Sequence, residues 1–92
     1  MNLEQLRREI DSVDAQLVIL LEKRMDLVNQ IAAYKKREQI DVLNRKRETS
    51  ILEMVSTNIQ NADYEKTILE TFESIMTHSR LYQYQRLAND KD

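Results

Sequence analysis

Apolar residues recur along the first part of the chain at Leu3, Leu6, Ile10, Val13, Leu17, Leu20, Leu27, Ile31 and Tyr34. The steps are threes and fours, the spacing of one face of an α-helix, with a single gap at position 24. The pattern predicts a helix over about residues 2–36. Asn2 is suited to cap it, with Gln5 three residues later reaching back in the manner of a capping box. The segment REQIDVLN, Arg37 to Asn44, breaks the spacing and carries the β-branched and Asp/Asn residues of a connection. Asn44 is a suitable cap for a second helix over about 45–58, whose stripe is Ile51, Leu52, Val55 and Ile59. The polar run TNIQNAD then leads to a third helix over about 63–87, with Ile68, Leu69, Phe72, Ile75 and Met76 on one face. Glycine and proline are both absent, which argues against a fold built on hairpins and tight turns. The expected fold is all-α, with one very long N-terminal helix, a short one and a medium-long one in a single domain over residues 1–92.

The length of the first helix carries a consequence for assembly. Some 34 residues at ~1.5 Å each span roughly 50 Å, whereas a compact domain of this size has a radius of gyration of about 12 Å. Two shorter helices cannot cover a stripe of that length. The expected solution is a homodimeric bundle in which two copies of the long helix lie side by side and the other helices wrap around them.

Composition narrows the function classes. The chain has 92 residues, 41% hydrophobic and 33% charged, with a formal net charge of -2. Neither a nucleic-acid nor a membrane-surface footprint is expected from that balance, so any basic feature is local. There are no cysteines, which removes disulfides and thiolate chemistry, and no His/carboxylate cluster suggests a metal site. The start MNLEQLRREI lacks the apolar run of a signal peptide, and no stretch approaches the ~20 apolar residues of a membrane span. A soluble, cytoplasmic protein is the expectation.

The gap in the first stripe is filled by Arg24. An unpaired buried guanidinium costs several kcal/mol, so an arginine there calls for an anionic partner. Lys35 lies eleven residues on, close to three whole turns, and projects from nearly the same side about 16 Å away. On the second helix, Arg47 and Glu48 lie one turn before Ile51 and Leu52. On the third, Ser79 and Gln83 continue the face of Phe72, Ile75 and Met76. Each helix thus carries polar groups where it should bury apolar ones. Several cations, one carboxylate, a hydroxyl and an amide within a helical bundle suit a small polyanion bearing a hydroxyl group. The competing explanation is that long cationic side chains flank apolar faces with their heads in water. His78 reads as a rim residue and the four tyrosines as amphipathic packing.

At these residues the sequence resembles the all-helical (AroQ-type) chorismate mutases. The likeness runs from LRREIDSVDAQLVILLEKRMDLVNQIAAYK through NRKRE to THSRLYQYQ. It implies an intertwined homodimer of three-helix chains that converts chorismate to prephenate in phenylalanine and tyrosine biosynthesis, with no cofactor and no metal. It also implies a site lined by Arg24, Lys35, Asn44, Arg47, Glu48, Ser79 and Gln83, completed by Arg7 from the other subunit. Asn44 stands where relatives often carry aspartate. In the implied roles, Arg7 and Arg24 bind the carboxylates, Lys35 and Gln83 donate to the ether oxygen, and Glu48 accepts from the ring hydroxyl.

Helix geometry bears on Arg7 separately. It is 17 residues from Arg24 and 28 from Lys35, roughly 25 and 42 Å along a straight helix. One chain cannot bring all three to one metabolite, so if Arg7 belongs to the site, as the resemblance implies, an antiparallel partner must deliver it, giving two shared sites per dimer. Two other readings stand beside this one. Isochorismate-pyruvate lyases share the scaffold and a cationic pocket, and a non-enzymatic helical dimerisation module would leave the same polar residues as surface features.

Overall fold

The computed structural model describes residues 1–89. Three α-helices, α1 (Leu3–Glu38), α2 (Arg45–Asn58) and α3 (Glu65–Asn89), are joined by a short connection and by a 3₁₀ turn at Ala62–Tyr64. There is no strand among the described residues.

The helix ends follow from local chemistry. Asn2 and Gln5 exchange hydrogen bonds of 2.9 Å between each side chain and the other's backbone N–H, so the capping box at the start of α1 is complete. The last turn carries Lys35, Lys36 and Arg37, whose charges oppose the negative end of the helix dipole. α1 stops at Gln39, which turns into the left-handed region (φ 56°, ψ 44°) while the Ile40 N–H closes back on the Lys35 carbonyl at 2.8 Å. Asn44 caps α2 by accepting from the Arg47 N–H at 3.0 Å. α3 begins at Glu65 instead of near residue 63, because Asn61 accepts from the Asp63 N–H and the first turn is wound as 3₁₀.

α3 is the central element, packed against α1 on one side and α2 on the other. The core between α2 and α3 is Ile51, Val55 and Met76, ringed by Leu52, Ile59, Ile68, Leu69 and Phe72. α1 contributes only its C-terminal half. Val28 and Ala32 are buried there, and Arg86 and Tyr82 of α3 reach the backbone and side chain of Asn29. Residues 1–23 are exposed throughout. The stripe of Leu3, Leu6, Ile10, Val13, Leu17 and Leu20 therefore meets nothing within the chain. The within-chain contact uses the row of Val28 and Ala32, one position round the helix from the stripe at Leu27 and Ile31, and all four tyrosines remain exposed. The result is an elongated molecule, 55 × 26 × 15 Å, with a radius of gyration of 16.5 Å. A compact chain of this length has about 12 Å.

Candidate active site

The C-terminal half of α1, the connection, the first turn of α2 and the middle of α3 enclose a cavity of about 430 Å³. This is within the range of small-molecule sites, roughly 300–1,000 Å³. Its apolar floor is Val28, Val42, Ile51 and Met76, all buried, with Leu27 and Ile31 at the side. The polar groups converge from every element: Arg24 and Lys35 from α1, Asn44 at the cap, Arg47 and Glu48 from α2, and Ser79, Arg80 and Gln83 from α3.

Why these side chains meet is legible in the helix geometry. Arg24, Val28 and Lys35 share one side of α1, and the row lies over α3. Arg24 Nη1 donates to Ser79 Oγ at 2.7 Å, across 55 residues of sequence. The same hydroxyl donates to the Ile75 carbonyl at 2.9 Å, so it is fixed in direction and offers a lone pair to the guanidinium. Lys35 Nζ donates to the Val42 carbonyl at 2.7 Å, which clips the connection onto α1 and leaves two ammonium protons for other acceptors. The cap of α2 sets Arg47 and Glu48 on the first turn at the cavity wall.

Ser79 and Gln83 are both buried, at 6% and 7% exposure. Gln83 Nε2 donates to the Ser79 carbonyl at 3.2 Å, and its Oε1 is buried without a partner. A buried amide oxygen left unsatisfied costs about 1–3 kcal/mol, an expense that functional sites commonly carry. Glu48 is held by Arg80, whose Nη1 donates to both carboxylate oxygens, while Nη2 reaches Thr77 Oγ1 at 3.3 Å. Four cations thus face one carboxylate around the cavity, a surplus suited to a ligand with more than one negative charge.

Of the residues singled out in the sequence, Arg24, Lys35, Asn44, Arg47, Glu48, Ser79 and Gln83 all line this cavity. Arg7 does not; it is exposed on the free half of α1, in keeping with the ~25 Å of helix that separates it from Arg24. His78 is exposed, with Nδ1 2.7 Å from the Ser74 carbonyl. Arg80 is the polar wall residue that the sequence pattern passes over. It follows Ser79 directly, so a helical wheel turns it about 100° off the site's row, and only the pairing with Glu48, 32 residues away, brings it back.

Comparison with known proteins bears on this geometry. Residues 6–84 match the family model for chorismate mutase type II, a span that takes in every cavity residue named above and Arg7. The chain is also similar to the T-protein of Haemophilus influenzae, 31% identical over 68 residues. That match covers 74% of this chain and 18% of the T-protein, so the chain spans about a fifth of the length of that relative. With three helices in the expected order and the family's pattern extending over most of its length, the chain belongs to the chorismate mutase type II family.

Proposed function

We propose that residues 1–92 form a chorismate mutase domain, which rearranges chorismate to prephenate on the way to phenylalanine and tyrosine. The observation that carries this reading is the cavity in which Arg24, Lys35 and Arg47 meet Glu48 and two buried polar side chains, Ser79 and Gln83. Membership of the family supports it.

The reaction is an intramolecular Claisen rearrangement. One ether C–O bond breaks and one C–C bond forms within the same molecule, so no nucleophile, electron carrier or external proton enters the balance. The protein's task is to hold a dicarboxylate folded so that the two reacting carbons approach, and to stabilise the charge that builds on the ether oxygen. Arg24 is suited to a substrate carboxylate because Ser79 fixes its guanidinium. Lys35 hangs from the Val42 carbonyl with protons to spare and serves as the charged donor to the ether oxygen. Gln83 spends one Nε2 proton on the Ser79 carbonyl and has a second for the same oxygen. Glu48 accepts from the ring hydroxyl, and Arg47, Asn44 and Ser79 complete the polar wall.

Arg7 enters from the antiparallel α1 of a second chain and takes the remaining carboxylate. The exposed stripe from Leu3 to Leu20 supports such a dimer, since it leaves a long apolar face uncovered in the single chain. No helix among the described residues is long and apolar enough to cross a membrane. A cytoplasmic location is part of this reading, in line with a composition that is 33% charged.

The test is direct. The purified chain, given chorismate, should deplete it with formation of prephenate and no release of pyruvate. Salicylate and pyruvate formed from isochorismate, with chorismate left untouched, would assign the scaffold to lyase chemistry instead. No turnover of either compound would leave a dimerisation module.

A further inference from the structure

Glu48 is an awkward group to find in a site for a dianion. A carboxylate at the wall suits a substrate hydroxyl as acceptor, yet it repels the two carboxylates that the neighbouring cations attract. The structure shows how that conflict is met. Arg80 stands on the next turn of α3 beyond Met76, lines the cavity beside Ser79, and donates through Nη1 to both oxygens of Glu48. Both side chains are a quarter exposed, so the pair is screened less than a surface ion pair. The guanidinium is steadied in turn by Thr77, one turn back on the outer side of α3. The pair also ties α2 to α3 at the cavity wall, across 32 residues of sequence.

We propose that Arg80 is a positioning residue for the mutase reaction. It cancels the charge of Glu48 and fixes its carboxylate plane, so that Glu48 acts as a neutralised hydrogen-bond acceptor for the ring hydroxyl without driving the dianionic substrate away. This rests on the function proposed above and assigns Arg80 no contact with substrate. A guanidinium fits the role better than an ammonium because it has a second nitrogen: Nη1 serves both carboxylate oxygens of Glu48 while Nη2 is held by Thr77. The arrangement separates two duties within one set of cations: Arg24, Lys35 and Arg47 face the ligand, and Arg80 serves the protein's own carboxylate.

The experiment is a double-mutant cycle on turnover of chorismate, with Arg80→Met, Arg80→Lys, Glu48→Gln and the combination of Arg80→Met with Glu48→Gln. Far-ultraviolet circular dichroism on each variant establishes that it is folded. If Arg80→Met does not fold, Arg80→Gln, equally uncharged, takes its place in the cycle. Loss of a charged hydrogen-bonding pair predicts that Arg80→Met lowers kcat/KM roughly tenfold to a hundredfold, most of it as a rise in KM, because an uncompensated carboxylate now repels the substrate. Arg80→Lys should recover part of the loss. In the Glu48→Gln background, where no charge remains to be cancelled, removing Arg80 should cost no more than about twofold. An equal loss in both backgrounds would overturn the proposal and leave Arg80 as a structural tie or a direct substrate ligand. So would an unchanged KM in a folded Arg80→Met protein. A parent protein that does not convert chorismate at all would instead remove the function on which the proposal rests.

Discussion

Arg24 occupies a position where a leucine would continue the stripe of α1, and its guanidinium is turned onto the Ser79 hydroxyl at the wall of the cavity. Removing it should leave no buried orphan behind, since Ser79 Oγ keeps its donation to the Ile75 carbonyl. Arg24→Leu is therefore expected to melt within about 1 kcal/mol of the parent or above it, while activity falls roughly a thousandfold or more. Unfolding of that variant would make the arginine structural. Gln83 offers a second probe at this scale. Its amide donates without titrating, whereas a carboxyl at the same place donates only when protonated. Gln83→Glu should thus lose most activity at neutral pH and regain it as pH falls toward the carboxyl range, about 4–5 for an ordinary glutamic acid. A pH profile matching the parent's would take Gln83 out of the reaction. These residues were visible in the sequence because each breaks an apolar row that its neighbours keep. Arg80 was not, because it breaks no row; its meaning lies in a partner on another helix.

At the scale of elements, helix boundaries came through where a cap declares itself. Asn2 with Gln5 and Asn44 both hold their helices as the pattern expects. α1 runs two residues past the expected end at 36, since its basic last turn is stabilised by the dipole and the spacing alone does not register that. The start of α3 is later than expected because an Asx contact at Asn61 winds the preceding turn as 3₁₀, which periodicity does not distinguish from α over so short a span. The α1 terminus also yields a prediction. Gln39 adopts a left-handed conformation that costs a residue with a Cβ about 1 kcal/mol and glycine almost nothing. Gln39→Gly should raise stability by roughly 0.5–1 kcal/mol in urea melts at matched protein concentration, with activity retained. A loss of stability would mean that chain entropy in the unfolded state outweighs the relief at the cap.

At the scale of the whole molecule, the site and its scaffold make different demands. The cavity is built from the C-terminal half of α1, α2 and α3, and the remaining half of α1 projects with its apolar stripe bare. The sequence already shows this mismatch, since its apolar spacing predicts a first helix of about 34 residues and two shorter helices cannot cover a stripe of that length. What length could not supply is which side of α1 meets its own chain, because that depends on Val28 and Ala32, a small-residue row that offers no strong periodic signal. On the proposed reading the stripe is covered by a second copy and each site is shared, with Arg7 arriving from the partner. The most direct measurement mixes two inactive variants, Arg7→Ala and Lys35→Ala, after subunit exchange has been verified by mass on labelled chains. In a mixed dimer one site combines the intact Arg7 of one chain with the intact Lys35 of the other, and the second site carries both defects. With random exchange about half of the dimers are mixed, so activity should recover to roughly a quarter of the parental value per site. Verified mixed dimers that stay inactive would contradict the account, because Arg7 and Lys35 would then have to act from the same chain or not together at all.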